Sequence, residues 1–310
     1  LAVVHKVDAV VQSVTVHSLS SLLDVRKKMA RLTWQPTIDV LEETAQPTKY
    51  IIYISQGERG YDNGLAVDAK STAVDIDLEP GIMYRFRITA VNSGGESFPS
   101  EEVCCYLASE DAPHILLVDG FQRVAGPKAF NTENSSGFDM NEEPGVVDRK
   151  SPEYCGYQLY FGKDGLGKEN ATGHGYSGSE LEGMILAGNT HDWSCVHAQE
   201  ILKCGQYNLS SCVASACPTV NIQHIDIADI IFGAQMMDGY SMKPYKTFTP
   251  EVRSLMEQLT QNGKGVMVSG AHIGTDMPLP EEQQFLKQTL KWTSNNSVHA
   301  AAGMNIQGMN

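Results

Sequence analysis

The stretch Leu78-Glu-Pro-Gly-Ile-Met-Tyr-Arg-Phe-Arg-Ile-Thr-Ala-Val91 decides the fold of the first third of this 310-residue chain. From Tyr84 to Val91 the residue types alternate with period two, the pattern of a strand with one face buried. Working outward, Arg31-Leu-Thr-Trp-Gln-Pro36 reads as another strand carrying a single Trp, and Lys49-Tyr-Ile-Ile-Tyr-Ile54 as a third. From about residue 11 to 107, short alternating strands are separated by turn clusters, with a helical period only near Ser20 to Lys28. The pattern predicts an all-β domain.

These residues resemble a fibronectin type III domain. Trp34 matches that family's second-strand Trp, and Leu78, Pro80, Gly81 and Tyr84 match its Leu-x-Pro-Gly-x-x-Tyr corner. Asn92-Ser-Gly-Gly-Glu-Ser-Phe-Pro-Ser100 resembles its loop before the last strand. The resemblance implies a β-sandwich in which the Tyr84 ring packs under the sandwich edge and its hydroxyl bonds backbone upstream.

After the polar, Pro-containing junction Ser109-Glu-Asp-Ala-Pro113 the pattern changes. Short continuous apolar runs alternate with amphipathic stretches, as in parallel strands covered on both faces. The runs are His114-Ile-Leu-Leu-Val118, Gly183-Met-Ile-Leu-Ala187, Leu209-Ser-Ser-Cys-Val-Ala214, Ala228-Asp-Ile-Ile-Phe232 and Gly265-Val-Met-Val-Ser269. Helices are predicted near Cys195 to Cys204, Pro250 to Gln261 and Glu281 to Trp292. Thr249 is a suitable cap, Pro250 suits the first helical position, Glu251 complements the dipole and Gly263 closes that helix. The predicted organisation is an N-terminal remnant or linker over 1–10, a β-sandwich over 11–108, an α/β three-layer domain over 109–293 with an insertion at 120–182, and a tail or fragment of a further domain at 294–310. The insertion is rich in Gly, Asn, Ser and Glu, and loops of that length are usually either mobile or functional.

In an open parallel sheet, ligands collect outside the carboxyl ends of the strands. The residues following the runs therefore define a crevice: Asp119, then Asn189, His191, Asp192 and Trp193, then Gln235, then His272 and Asp276. The segment Gly270-Ala-His-Ile-Gly274 has the form of a nucleophile elbow with His272 in the raised position, where an acyl-transfer enzyme carries Ser or Cys. His272, Asp276, His191 and Asp192 are the candidate catalytic residues, because a histidine beside a carboxylate transfers protons near neutral pH. Asp119, Asn189, Trp193 and Gln235 are candidate substrate contacts. The competing reading is that each side chain caps a helix or closes a turn. Together with His197, the His and Asp residues are of types that Zn or Mn accept, but no short ligand spacing supports a metal. Gly162-Lys-Asp-Gly-Leu-Gly-Lys168 lacks the phosphate-loop spacing, and Asp119-Gly-Phe-Gln-Arg-Val124 lacks a dinucleotide fingerprint, so no nucleotide cofactor is indicated.

Composition narrows the partners. With 37 acidic and 23 basic residues the formal charge is −14, which argues against nucleic-acid or anionic-membrane binding. No apolar run approaches the roughly 18 to 20 residues of a membrane span. The segment Leu1-Ala-Val-Val-His-Lys-Val7 lacks the parts of a secretory signal, which leaves localisation open at this point. Seven cysteines without a C-x-x-C pair suggest buried thiols, with Cys212 and Cys217 as one possible pair.

The pairing of a fibronectin module with Ile115-Leu-Leu-Val-Asp-Gly-Phe121, Ala187-Gly-Asn-Thr-His-Asp192 and Val268-Ser-Gly-Ala-His-Ile-Gly-Thr-Asp-Met277 resembles a group of exported Bacteroidetes proteins labelled xanthan lyase-like. The α/β part is similar, more distantly, to the class I glutamine amidotransferase-like fold, whose elbow carries cysteine where this chain has His272. The resemblance implies a doubly wound, flavodoxin- or amidotransferase-like domain within a larger multidomain protein of the periplasm or cell surface. It implies acidic polysaccharide or peptidoglycan as partner. A polysaccharide lyase or cell-wall hydrolase using His272 is one reading. A non-catalytic scaffold or binding module with a degenerate site is the other, and exposed aromatics for sugar stacking (Trp193, Tyr157, Tyr160, Phe161, Tyr176) distinguish it.

Overall fold

The computed structural model describes residues 13, 16–37, 43–97, 99–121, 128–131, 136–139, 192–233, 246–270, 273–274 and 277–292. The first eight strands are β1 (His17–Asp24), β2 (Met29–Gln35), β3 (Lys49–Gln56), β4 (Leu65–Asp68), β5 (Ala73–Asp77), β6 (Met83–Asn92), β7 (Gly95–Glu96) and β8 (Val103–Tyr106). They form a sandwich, with β1, β2 and β5 antiparallel on one side and β4, β3, β6 and β8 on the other. Alternation produces the core: Leu32 and Trp34 of β2, Tyr50 and Ile52 of β3, and Tyr84, Phe86 and Ile88 of β6 are all buried. The Trp34 and Tyr50 rings meet edge to face across the two sheets, 5.6 Å apart. The Tyr84 hydroxyl accepts a hydrogen bond from the Glu79 backbone N–H at 3.1 Å. Gly81 holds φ +82° between them.

The helical period near Ser20 to Lys28 is not used, a correction to the sequence reading. These residues form β1 and the turn after it. Leu19, Ser20 and Ser21 are all fully buried, so both faces of β1 are covered and the alternation that marks a strand is erased.

Four further strands, β9 (His114–Asp119), β12 (Asn208–Val213), β13 (Ile227–Ile231) and β14 (Gly265–Ser269), run parallel in the order β14-β13-β9-β12. They coincide with four of the five apolar runs; the fifth, 183–187, lies outside the described residues. Every residue of β9 is buried, because helices lie on both sides. Ile115 and Leu117 face α1 (Trp193–Cys204), while Leu116 and Val118 join the core that includes Val252 and Leu255 of α2 (Pro250–Gln261) and Phe285 of α3 (Pro280–Gln288). Thr249 caps α2 by accepting from the Val252 N–H, and Gly263 takes φ +69° after its end. Within the insertion, β10 (Lys128–Asn131) and β11 (Ser136–Asp139) form an antiparallel hairpin, an element that periodicity did not announce.

The two parts share a sheet. The free edge of β12 pairs antiparallel with both sides of the sandwich: with β1 at Ser20↔Cys212 and Ser21↔Ser211, and with β8 at Leu209↔Tyr106. Buried side chains stitch the seam. Ser210 Oγ accepts from Leu23 N and pairs with His114 Nε2 at 2.8 Å, and Asn208 accepts from Ala108 N while donating to Ser109 O and Ala112 O. No helix among the described residues is long and apolar enough to cross a membrane.

Candidate functional site

At the carboxyl end of β9 the chain turns sharply through Asp119, Gly120 and Phe121. Asp119 Oδ1 accepts from the Phe121 N–H at 2.9 Å, so one carboxyl oxygen closes the turn. Its Oδ2 is buried and has no hydrogen-bond partner among the described residues. Burial raises the Asp119 pKa well above the ordinary carboxylate value; the Phe121 N–H opposes this, and the nearby charges of Glu101 and Asp192 add to it. A side chain at Gly120 would overlap the Phe232 ring, which requires glycine here.

Asp192 precedes α1, and its backbone carbonyl, not its side chain, caps the helix: Cys195 N and Val196 N bond Asp192 O. Trp193 begins the helix and leans over the end of β13. A Cβ at Gly233 (φ +52°) would lie 3.7 Å from the Phe121 ring and 3.9 Å from the Trp193 indole nitrogen. Asp119, Phe121, Asp192, Trp193 and Gly233 thus gather at one edge. Glu101, whose charge acts on Asp119, brings the fibronectin-like half to the same place.

The elbow is only partly within view. Gly270 packs against Phe232 and the Gly233 carbonyl, and a Cβ there would sit 2.9 Å from Phe232 Cβ; Gly274 lies against the Trp292 ring. Both glycines are therefore demanded by packing. His272, Asp276, His191, Asn189 and Gln235 lie outside the described residues, as do Tyr157, Tyr160, Phe161 and Tyr176.

The buried Cys105, Cys195 and Cys212 are unsuited to nucleophilic work. All six in the described residues are free, including Cys212 and Cys217, and five are buried. A hydrogen bond with Cys217 and then burial raise the Cys212 pKa, while burial raises that of Cys195, which also neighbours Cys104 and Glu102. Glu102 is held in turn by the Tyr61 hydroxyl and lies 3.7 Å from Arg85, and the Arg87 guanidinium stacks 4.1 Å from the Tyr61 ring centre.

A second constellation escaped the search along strand ends. His197, one turn after Trp193 on α1, places Nδ1 2.7 Å from Oδ2 of Asp229, a residue in the middle of β13 that is 1% exposed. The signal was present in Ala228-Asp-Ile-Ile-Phe232: a carboxylate inside an otherwise apolar buried strand needs a partner. No group of three or more His, Cys, Asp or Glu among the described residues is arranged to hold a metal.

Comparison with known proteins bears on the first third. Residues 14–105 match the family model for the fibronectin type III domain, and this part of the chain is such a domain. Among solved structures, a human fourth fibronectin type III domain is 21% identical over 36% of this chain and 93% of its own, with a TM-score of 0.30. The chicken CNTN1 FN1-FN3 domains are 15% identical over 32% of this chain and 33% of theirs, with a TM-score of 0.27. The C. elegans twitchin kinase region is 20% identical over 32% and 17%, with a TM-score of 0.27. This chain spans about a third of the length of the chicken fragment.

Proposed function

We propose that the chain is a two-module unit of an exported cell-envelope or polysaccharide-processing protein, and that it binds saccharide at the carboxyl edge of its parallel strands. In this reading β9, β12, β13 and β14 belong to a doubly wound, flavodoxin- or amidotransferase-like domain; the order β12-β9-β13-β14, with helices on both faces, favours it. The single observation that carries the proposal is the meeting of Asp119, Asp192 and Trp193 beside Gly233. A carboxyl group such as that of Asp192 accepts hydrogen bonds from sugar hydroxyls, and an indole offers a flat apolar face for the C–H side of a sugar ring.

A catalytic reading keeps His272 as the proton-transfer residue, with Asp276, His191 or Asp192 orienting it and Asn189 and Gln235 holding substrate. It draws support from the packing of Gly270 against the Gly233 carbonyl, since this starts the elbow beside the same edge.

The test incubates the whole chain, Trp193→Ala and His272→Ala with acidic polysaccharides and peptidoglycan fragments, following binding by calorimetry and products by mass spectrometry. Binding that Trp193→Ala weakens at least about tenfold, the equivalent of one lost stacking contact, supports the saccharide site. A product absent with His272→Ala adds catalysis. Absence of binding and product in both substrate classes overturns the proposal.

A further inference from the structure

The His197–Asp229 pair lies below the carboxyl edge, on the α1 side of the sheet, and nothing in the saccharide reading uses it. Asp229 is fixed on β13 and its Oδ2 is 2.7 Å from His197 Nδ1. In the neutral imidazole this places the proton on Nδ1 as donor and leaves Nε2 with a free lone pair. Nε2 has no partner among the described residues, and neither does Asp229 Oδ1, although the latter is buried. The His197 side chain is 27% exposed against 2% for that of Asp229, so the imidazole is the part a ligand meets.

Among the described residues, two exposed apolar side chains stand on the same face as Asp229. Met267 of β14 pairs in register with Asp229 and therefore stands beside it on the same face, and Ile227 precedes it by two residues on that face. Met267 is 50% exposed and Ile227 39%, two of the few large apolar side chains so exposed among the described residues. Trp193, four residues before His197, continues the same helix stripe toward Gly233.

We propose that His197 and Asp229, with the shelf formed by Met267 and Ile227, bind a phenol- or alcohol-type ligand, whose O–H donates to His197 Nε2 while its apolar body covers the shelf. An aligned acceptor next to apolar surface selects a donor attached to an apolar group; a purely apolar ligand leaves Nε2 unpaired, and a strongly polar one leaves the shelf wet. This site is independent of the saccharide reading and stands or falls without it.

Phenol and anisole, which share a ring but differ in the O–H donor, are titrated into the whole chain, and the imidazole nitrogens and the methyl of Met267 are followed by NMR. The expected result is an Nδ1–H tautomer for His197 in the free protein and phenol binding at least about tenfold tighter than anisole, the worth of one hydrogen bond. Both ligands shift the Met267 methyl, but only phenol shifts Nε2. His197→Ala removes the preference, and Asp229→Asn weakens it by allowing the other tautomer. Equal binding of the two ligands, an Nε2–H tautomer in the free protein, or a preference that survives His197→Ala overturns the proposal. The first two readouts need no variant and hold even where a substitution at Asp229 impairs folding.

Discussion

Ser211 and Cys104 exchange two hydrogen bonds across the junction of the two modules: the Cys104 N–H donates to Ser211 Oγ at 2.6 Å, and Ser211 Oγ donates to the Cys104 carbonyl at 2.9 Å. A side chain of β12 thereby satisfies backbone groups of β8, and the sheet of the fibronectin type III domain continues into the parallel strands. Ser211→Ala leaves a buried N–H and a buried carbonyl unpaired, a cost of about 2 kcal/mol. Urea denaturation is expected to give one transition for tryptophan fluorescence and for far-ultraviolet dichroism, moved to lower urea in the variant. Two separated transitions in the unmodified chain would show that the modules unfold independently.

His114 makes the seam sensitive to acid. Its ring is buried against Ser210, and burial lowers its pKa from 6.5 to about 4, with the nearby Asp226 opposing. The folded value lies below the unfolded one, so the unfolded chain binds the extra proton between them. The stabilising contribution of the neutral ring is present above pH 6.5 and declines as the pH falls toward 4, by about 3 kcal/mol in all. Stability measured between pH 7.5 and 4 is expected to fall less steeply in His114→Gln than in the unmodified chain; equal slopes would refute the assignment.

Gly274 packs against Trp292 in the described residues. In Gly274→Ala the new methyl overlaps the Trp292 ring and forces it outward. Overpacking of this kind costs about 1–3 kcal/mol. A lowered denaturation midpoint with red-shifted tryptophan emission is expected, and an unchanged midpoint and spectrum would mean that Trp292 does not pack there.

Much of this was legible along the chain. The Pro80-Gly81 corner and the alternation from Tyr84 specify a sandwich strand because period two and a positive-φ glycine leave few other backbones. Four apolar runs announced four parallel strands; the reason is plainest at β9, whose residues are buried on both faces, while the edge strand β14 remains partly exposed. Ser20 to Lys28 misled for a related reason: a strand buried on both faces by a neighbouring module has no polar side to alternate with.

By itself, the sequence determined β2, β3 and β6, the four parallel strands and the three helices, since these follow from local period, caps and turns; it did not determine β1 or the β10–β11 hairpin. Only the tertiary structure decided that β12 closes both sheets of the sandwich, that Asp119 meets Asp192 and Glu101, and that His197 reaches Asp229 across 32 positions of chain. Those pairings depend on strand order and on the position of a helix over its sheet, and long-range packing sets both; no local spacing encodes them.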